Sequence, residues 1–105
     1  MAQKQDRKKI GEYKVILIKN KKAGYFRFAA EKGKYELDDL YILPEYREQG
    51  IGSRVLEYCL KKADKPVFLY VFKNNLPAVR LYEKYGFREI ESVTSTRMIM
   101  QKDPR

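Results

Sequence analysis

A chain of 105 residues has room for one hydrophobic core and not for two, and 44% apolar residues with nine Tyr and five Phe exclude a disordered chain. The absence of His removes Ser-His-Asp and Cys-His catalysis and histidine-ligated zinc, so no metal site is expected, and the lone Cys59 excludes an internal disulfide. A net charge of +9 fits solvated surface lysines, attraction of a small polyanion or attraction of nucleic acid; no apolar run approaches the ~18 residues that cross a membrane, so a cytoplasmic setting without a membrane partner is expected.

Residues 1–11, with Lys4, Arg7, Lys8 and Lys9, read as a flexible basic segment, and residues 12–105 as a single domain. Tyr13-Lys14-Val15-Ile16-Leu17-Ile18 has strand composition, Asn20-Lys21-Lys22 reads as a turn, and Gly24 to Ala29 as the antiparallel partner. Lys32-Gly33 marks a second turn, and Tyr35 to Ile42 a third strand that Pro44 stops. From Gly50 the period changes. Ile51, Val55, Leu56, Cys59 and Leu60 recur at helical spacing as far as about Ala63, which makes Cys59 a buried core thiol.

Val67 to Phe72 is an apolar run of strand length, expected at the centre of the sheet and covered on both faces. Asn74-Asn75 offers N-cap chemistry and Pro77 suits a first helical turn. Ala78, Leu81, Tyr82 and Tyr85 then form a second apolar stripe that Gly86 ends. Phe87 to about Glu91 and Thr96 to about Gln101 read as the last strands. The order β-β-β-α-β-α-β-β predicts an α/β (α+β) fold, a mixed and mostly antiparallel sheet with helices packed on it and a strand-helix-strand crossover into Val67–Phe72.

Arg47-Glu48-Gln49-Gly50-Ile51-Gly52-Ser53 lies between the third strand and the first helix. Two glycines remove side chains where a helix begins, so unpaired N–H groups and the positive end of the helix dipole can close around an anion, with Arg47 at the rim. The loop lacks the Gly-Lys-Ser/Thr ending of a Walker loop, and Val55 stands where a dinucleotide fingerprint has its third glycine. A different phosphate-bearing ligand follows.

The later segment Asn75-Leu76-Pro77-Ala78-Val79-Arg80-Leu81-Tyr82-Glu83-Lys84-Tyr85-Gly86-Phe87 has the form N-x-x-A-x-x-L-Y-x-x-x-G-F. Together with R-x-x-G-x-G-S it resembles the GNAT superfamily of acetyl-CoA-dependent N-acetyltransferases, most strongly between Tyr35 and Glu91. The resemblance implies that Arg47, Gln49, Gly50, Ile51, Gly52 and Ser53 bind the pyrophosphate of coenzyme A. It also implies that Leu40, Tyr41 and Ile42 pair with the pantetheine arm beside a splayed strand, and that Asn75 contacts the cofactor. The doubled Asp38-Asp39 is a candidate bulge at that splay.

Tyr82 matches the family's general acid, which protonates the departing thiolate. Glu36, Asp38 and Asp39 are the candidate bases for the amine proton, and strand alternation puts Glu36 and Asp38 on one face and Asp39 on the other. The family's first strand and paired helices have no counterpart before Tyr13, and the exposed edge of the Tyr13 strand favours a homodimer that completes the acceptor side. The resemblance implies acetyl transfer to a primary amine, of a small molecule or a protein, by direct attack. The competing readings are a non-catalytic acyl-CoA-binding module and a basic nucleic-acid-binding domain, the latter resting on charge without a recognised motif.

Overall fold

The computed structural model describes residues 12–104; the flexible segment expected over residues 1–11 lies outside them. Its strands are β1 (Tyr13–Ile18), β2 (Lys21–Glu31), β3 (Lys34–Ile42), β4 (Val67–Phe72), β5 (Arg88–Ser92) and β6 (Arg97–Lys102), with helices α1 (Ile51–Lys62) and α2 (Leu76–Lys84). They form one six-stranded sheet in the order β1-β2-β3-β4-β6-β5, antiparallel except for the β3–β4 pair. The expected fold class and element order hold.

The first hairpin turns earlier than its sequence indicates. Lys19 (φ 51°) and Asn20 (φ 68°) both adopt the left-handed region, so two residues suffice and Lys21 and Lys22 already belong to β2. Such turns match the right-handed twist of the flanking strands, and Asn tolerates the conformation. Lys32 and Gly33 repeat the solution between β2 and β3.

The connections β3-α1-β4 and β4-α2-β5 both link parallel strands and both advance in the same direction across the sheet, so right-handed crossovers put α1 and α2 on one face. They touch there: the Tyr85 hydroxyl donates to Glu57 Oε2 at 2.8 Å. Beneath the helices, Phe26, Leu37, Val67, Leu69, Val71 and Met100 meet Ile51, Val55, Leu56 and Cys59 in the core. Leu56 is among the largest fully buried side chains. Leu56→Ala is therefore expected to cost about 3 kcal/mol, read as a shift in the denaturant midpoint at unchanged slope.

The other sheet face carries no helix among the described residues. This corrects the expectation that Val67–Phe72 is covered on both faces: β4 is central, but Tyr70 is 43% and Phe72 54% exposed. Its continuous apolar run arises because β4 buries Val67, Leu69 and Val71 on one side and carries aromatic rings on the other. Arg97 stacks its guanidinium over Tyr70 and Phe72, at 5.0 and 5.5 Å from the ring centroids. No helix among the described residues is long and apolar enough to cross a membrane.

Candidate active site

The parallel strands β3 and β4 are in register only at Tyr35 with Val67 and Glu36 with Phe68. Beyond that rung they part, and the β3 edge from Leu37 to Ile42 faces an opening rather than a partner strand. A register shift in the β2–β3 ladder produces the divergence: Arg27 pairs with Asp38 and Tyr25 with Tyr41, so Asp39 and Leu40 together oppose Phe26. Asp39 takes φ 52°, and its N–H donates to Asp38 Oδ1 at 2.8 Å. This is the bulge expected at the doubled aspartates.

The bulge also changes which side chains share a face. Leu37 and then Leu40 and Ile42 point to the core, while Tyr41 emerges on the open face. Simple alternation placed Asp39 opposite Glu36 and Asp38. The structure corrects this: the Tyr13 hydroxyl donates to Asp39 Oδ2 at 2.5 Å, and Tyr13 shares its face with its ladder partner Arg27. The extra residue reverses the alternation, so all three candidate carboxylates gather on the open face.

Arg27 organises them. The residue is 8% exposed; Nε donates to Glu12 Oε1 at 2.8 Å, and Nη1 lies 3.5 Å from Glu36 Oε1 and 3.7 Å from Asp38 Oδ2. Burial works against the charged guanidinium, and the Glu12 hydrogen bond with the charges of Glu12, Glu36 and Asp38 more than offsets it, leaving the Arg27 pKa above its ordinary value. Among the described residues, the carboxylates of Glu12, Glu36 and Asp38 gather around this one guanidinium. Arg27 has no role legible from sequence. Its one signal was a lone charge between Phe26 and Phe28, and nothing local said which carboxylates it would meet.

At the mouth of the opening the chain turns through Pro44–Tyr46, Glu48 (φ 62°) and Gly50 (φ 77°) into α1. Gly50 is the N-cap and no side chain caps the helix, so the first amides, those of Ile51, Gly52 and Ser53, point out of the helix end. A Cβ added at Gly50 would meet nothing within 4 Å, whereas one at Gly52 would lie 3.6 Å from Cδ2 of Leu81 on α2. Gly50 thus leaves an open cradle, whereas a Cβ at Gly52 would make an ordinary van der Waals contact with α2.

The loop's long side chains are partly engaged within the chain. Arg47 Nε donates to the Ile42 carbonyl at 2.8 Å, with the guanidinium 5.4 Å from the Tyr41 ring centroid, and Gln49 Nε2 donates to the Glu45 carbonyl at 3.2 Å. Asn75, at the C-terminal end of β4, caps α2 by accepting from the Ala78 N–H at 3.4 Å. The two helix starts therefore stand at the ends of the two diverging strands, where ligands bind in open α/β sheets.

Tyr82 is half-buried under α2 beside Phe87, ring centroids 5.8 Å apart, and its hydroxyl has no hydrogen-bond partner among the described residues. Burial raises its pKa above the ordinary 10.0, so the phenol keeps its proton at neutral pH. Cys59 is fully buried, and burial, against the opposing charge of Lys14, pushes its thiol up to about 12. A thiol held neutral is no nucleophile. Cys59 is expected to resist iodoacetamide in the folded chain at mildly alkaline pH and to react only when the chain is unfolded, read by intact mass.

Comparison with known proteins places this geometry. Residues 2–87 match the acetyltransferase (GNAT) family. Thialysine N-epsilon-acetyltransferase of Bos taurus is 37% identical over 71 residues, covering 63% of this chain and 42% of the relative; the chain thus spans less than half of that protein's length. Among solved structures, the PaiA N-acetyltransferase of Thermoplasma acidophilum in complex with coenzyme A superposes with TM-score 0.72 at 26% identity, covering 87% of this chain and 59% of the other. The ribosomal-protein-S18-alanine N-acetyltransferase of Escherichia coli shares the fold with TM-score 0.75 at 23% identity, covering 89% and 70%. The glycine loop at an uncapped helix start, the bulged strand and its parting from its parallel neighbour, with the sequence match across residues 2–87, are the grounds on which the chain belongs to the acetyltransferase (GNAT) family.

Proposed function

We propose that the chain is an N-acetyltransferase that moves an acetyl group from acetyl-CoA to a primary amine. The observation that carries the reading is the opening between β3 and β4, which leads to the uncapped, glycine-started end of α1. That end fits a pyrophosphate: exposed N–H groups and the helix dipole favour an anion, and Gly50 leaves room for one. Arg47, Gln49, Gly50, Ile51, Gly52 and Ser53 would hold it, and Asn75 would contact the cofactor from the α2 side. The edge of Leu40, Tyr41 and Ile42 that faces away from β2 would receive the extended arm as a strand edge receives a strand.

When bound, acetyl-CoA supplies an activated acetyl thioester for direct attack by the amine. Tyr82 Oη holds the proton that the leaving thiolate takes; the thiolate of a thiol of ordinary pKa ~8.5 is a fair leaving group, so one positioned phenol suffices. Glu36, Asp38 and Asp39 offer carboxylate oxygens for the amine proton, gathered on one face around Arg27. Glu36 sits on the last paired rung before the strands part. The bovine relative, named for acetylation of thialysine, supports an amine as acceptor class. We place the activity in the cytoplasm.

The test is calorimetric titration of acetyl-CoA, followed by thiol release from acetyl-CoA across a panel of primary amines. Binding with transfer to at least one amine is expected. Binding without transfer would make the chain an acyl-CoA-binding module. No binding would overturn the proposal.

A further inference from the structure

Strand β3 leaves β4 after the rung of Glu36 with Phe68, and what it follows from there is β2. Beyond the bulge the β2–β3 ladder resumes with Tyr25 opposite Tyr41 and Gly24 opposite Ile42, and the Leu43 N–H donates to the Ala23 carbonyl at 2.8 Å. At the same place β2 is irregular toward β1. There Ile16 lies opposite Gly24 and Leu17 opposite Lys22, so Ala23 is an extra residue. Gly24 thus stands between two bulges, one in each ladder of β2, and each adds to the local bend and twist of the strands.

Gly24 is buried, and the backbone of β3 fills the space where a side chain would begin. A Cβ on Gly24 would lie 2.1 Å from the Tyr41 carbonyl oxygen, 3.0 Å from Ile42 Cα and 3.1 Å from the Tyr41 carbonyl carbon. Real Cβ atoms essentially never come within 3.0 Å of another heavy atom, so the Tyr41 carbonyl would have to retreat by about 1 Å. All three neighbours are main chain, and no change of rotamer makes room. Among the described glycines, Gly24 is the one whose missing side chain would strike backbone: Gly33 and Gly50 face open space, and Gly52 and Gly86 meet side-chain atoms. A glycine inside a strand marks such a close approach of two chains.

The stretch of β3 seated on Gly24 is also the stretch that faces the opening. Tyr41 and Ile42 belong to the edge beyond the last β3–β4 rung, and the Ile42 carbonyl accepts from Arg47 Nε at 2.8 Å. A main-chain hydrogen bond spans about 3 Å and weakens steeply with misalignment, so a shift of about 1 Å at Tyr41 breaks the match between this edge and an extended group paired to it.

We infer that Gly24 is a positioning residue for the cofactor: its missing side chain lets Tyr41 and Ile42 lie close across β2, and this seat fixes the β3 edge that takes the pantetheine arm. The inference rests on the acetyl-CoA reading given above. Gly24 acts through the main chain of Tyr41 and Ile42.

The test titrates the parent chain and Gly24→Ala with coenzyme A and with 3′-phospho-ADP, the portion of coenzyme A without its pantetheine arm. The ratio of the two affinities reads what the arm contributes and cancels changes common to both ligands. In the parent, coenzyme A is expected to bind more tightly. In Gly24→Ala that advantage is expected to shrink about tenfold, the worth of one well-made main-chain hydrogen bond, and the amide resonances of Leu40 to Leu43 to move. Leu56→Ala, which loosens the core, is the control and is expected to leave the ratio unchanged. All chains are titrated in sucrose, which favours the compact state. An unchanged ratio in Gly24→Ala, an equal fall in Leu56→Ala, or a Gly24→Ala chain that stays unfolded in sucrose would each overturn the assignment. A parent that binds both ligands equally would overturn it while sparing the phosphate site, and a parent that binds neither would overturn the acetyl-CoA reading and this inference with it.

Discussion

Tyr82→Phe is expected to lower kcat for acetyl transfer about 100-fold while leaving coenzyme A affinity unchanged. The substitution removes one oxygen and its proton, keeps the ring against Phe87, and leaves the packing of α2 intact. Because the hydroxyl has no hydrogen-bond partner among the described residues, its loss strands no buried donor or acceptor elsewhere. A change in rate without a change in binding therefore isolates the proton. Unchanged turnover would remove Tyr82 from the mechanism, and weaker cofactor binding would make it a packing residue.

The pH profile gives an independent reading of the same group. Burial raises the Tyr82 pKa, so the protonated form, the one able to donate, persists as pH rises through the ordinary 10.0. Turnover is thus not expected to lose its acid below that point. An alkaline fall at lower pH that survives in Tyr82→Phe belongs to another group; one that disappears in the variant contradicts the raised value.

Gly50→Glu is expected to weaken acetyl-CoA binding at least about 100-fold, or about 3 kcal/mol. Two effects add. A carboxylate is placed where exposed amides and the helix dipole would hold a phosphate, and a side chain occupies a cradle that is open to 4 Å. The backbone also stands at φ 77°, which costs a residue with a Cβ about 1 kcal/mol. Gly50→Asn separates the two, since Asn tolerates the left-handed conformation without charge. Calorimetry should show the Asn variant binding nearly as the parent does. Equal loss in both variants would attribute the effect to loop conformation, and retention in Gly50→Glu would move the phosphate site elsewhere.

Much of this site was legible before any tertiary structure because it depends on local chemistry. The turn from strand to helix at Gly50, the capping Asn75, the helical stripe through Tyr82 and the burial of Cys59 each follow from the properties of a few consecutive residues: a glycine's freedom at positive φ, an amide's reach to the next turn, the 3.6-residue period. Even the bulge was signalled, since two adjacent aspartates in a strand are poor ladder residues.

What the bulge does was not legible. One extra residue in β3 reverses the alternation that follows, so Asp39 reaches Tyr13 on the face where Arg27 holds Glu36, Asp38 and Glu12. Those partners are separated by up to 26 positions in the chain, and only the register of three strands decides that they meet. The bare face of β4 is likewise a property of the sheet: a run such as VFLYVF has the same composition whether one side or two are covered, and the common handedness of two crossovers leaves Tyr70 and Phe72 exposed. The sequence by itself therefore determined the elements, their order and the glycine turn into α1, because these rest on neighbours in the chain. The assembly of the carboxylates and the parting of β3 from β4 were decided by tertiary structure, because register and handedness relate residues that are distant in the chain.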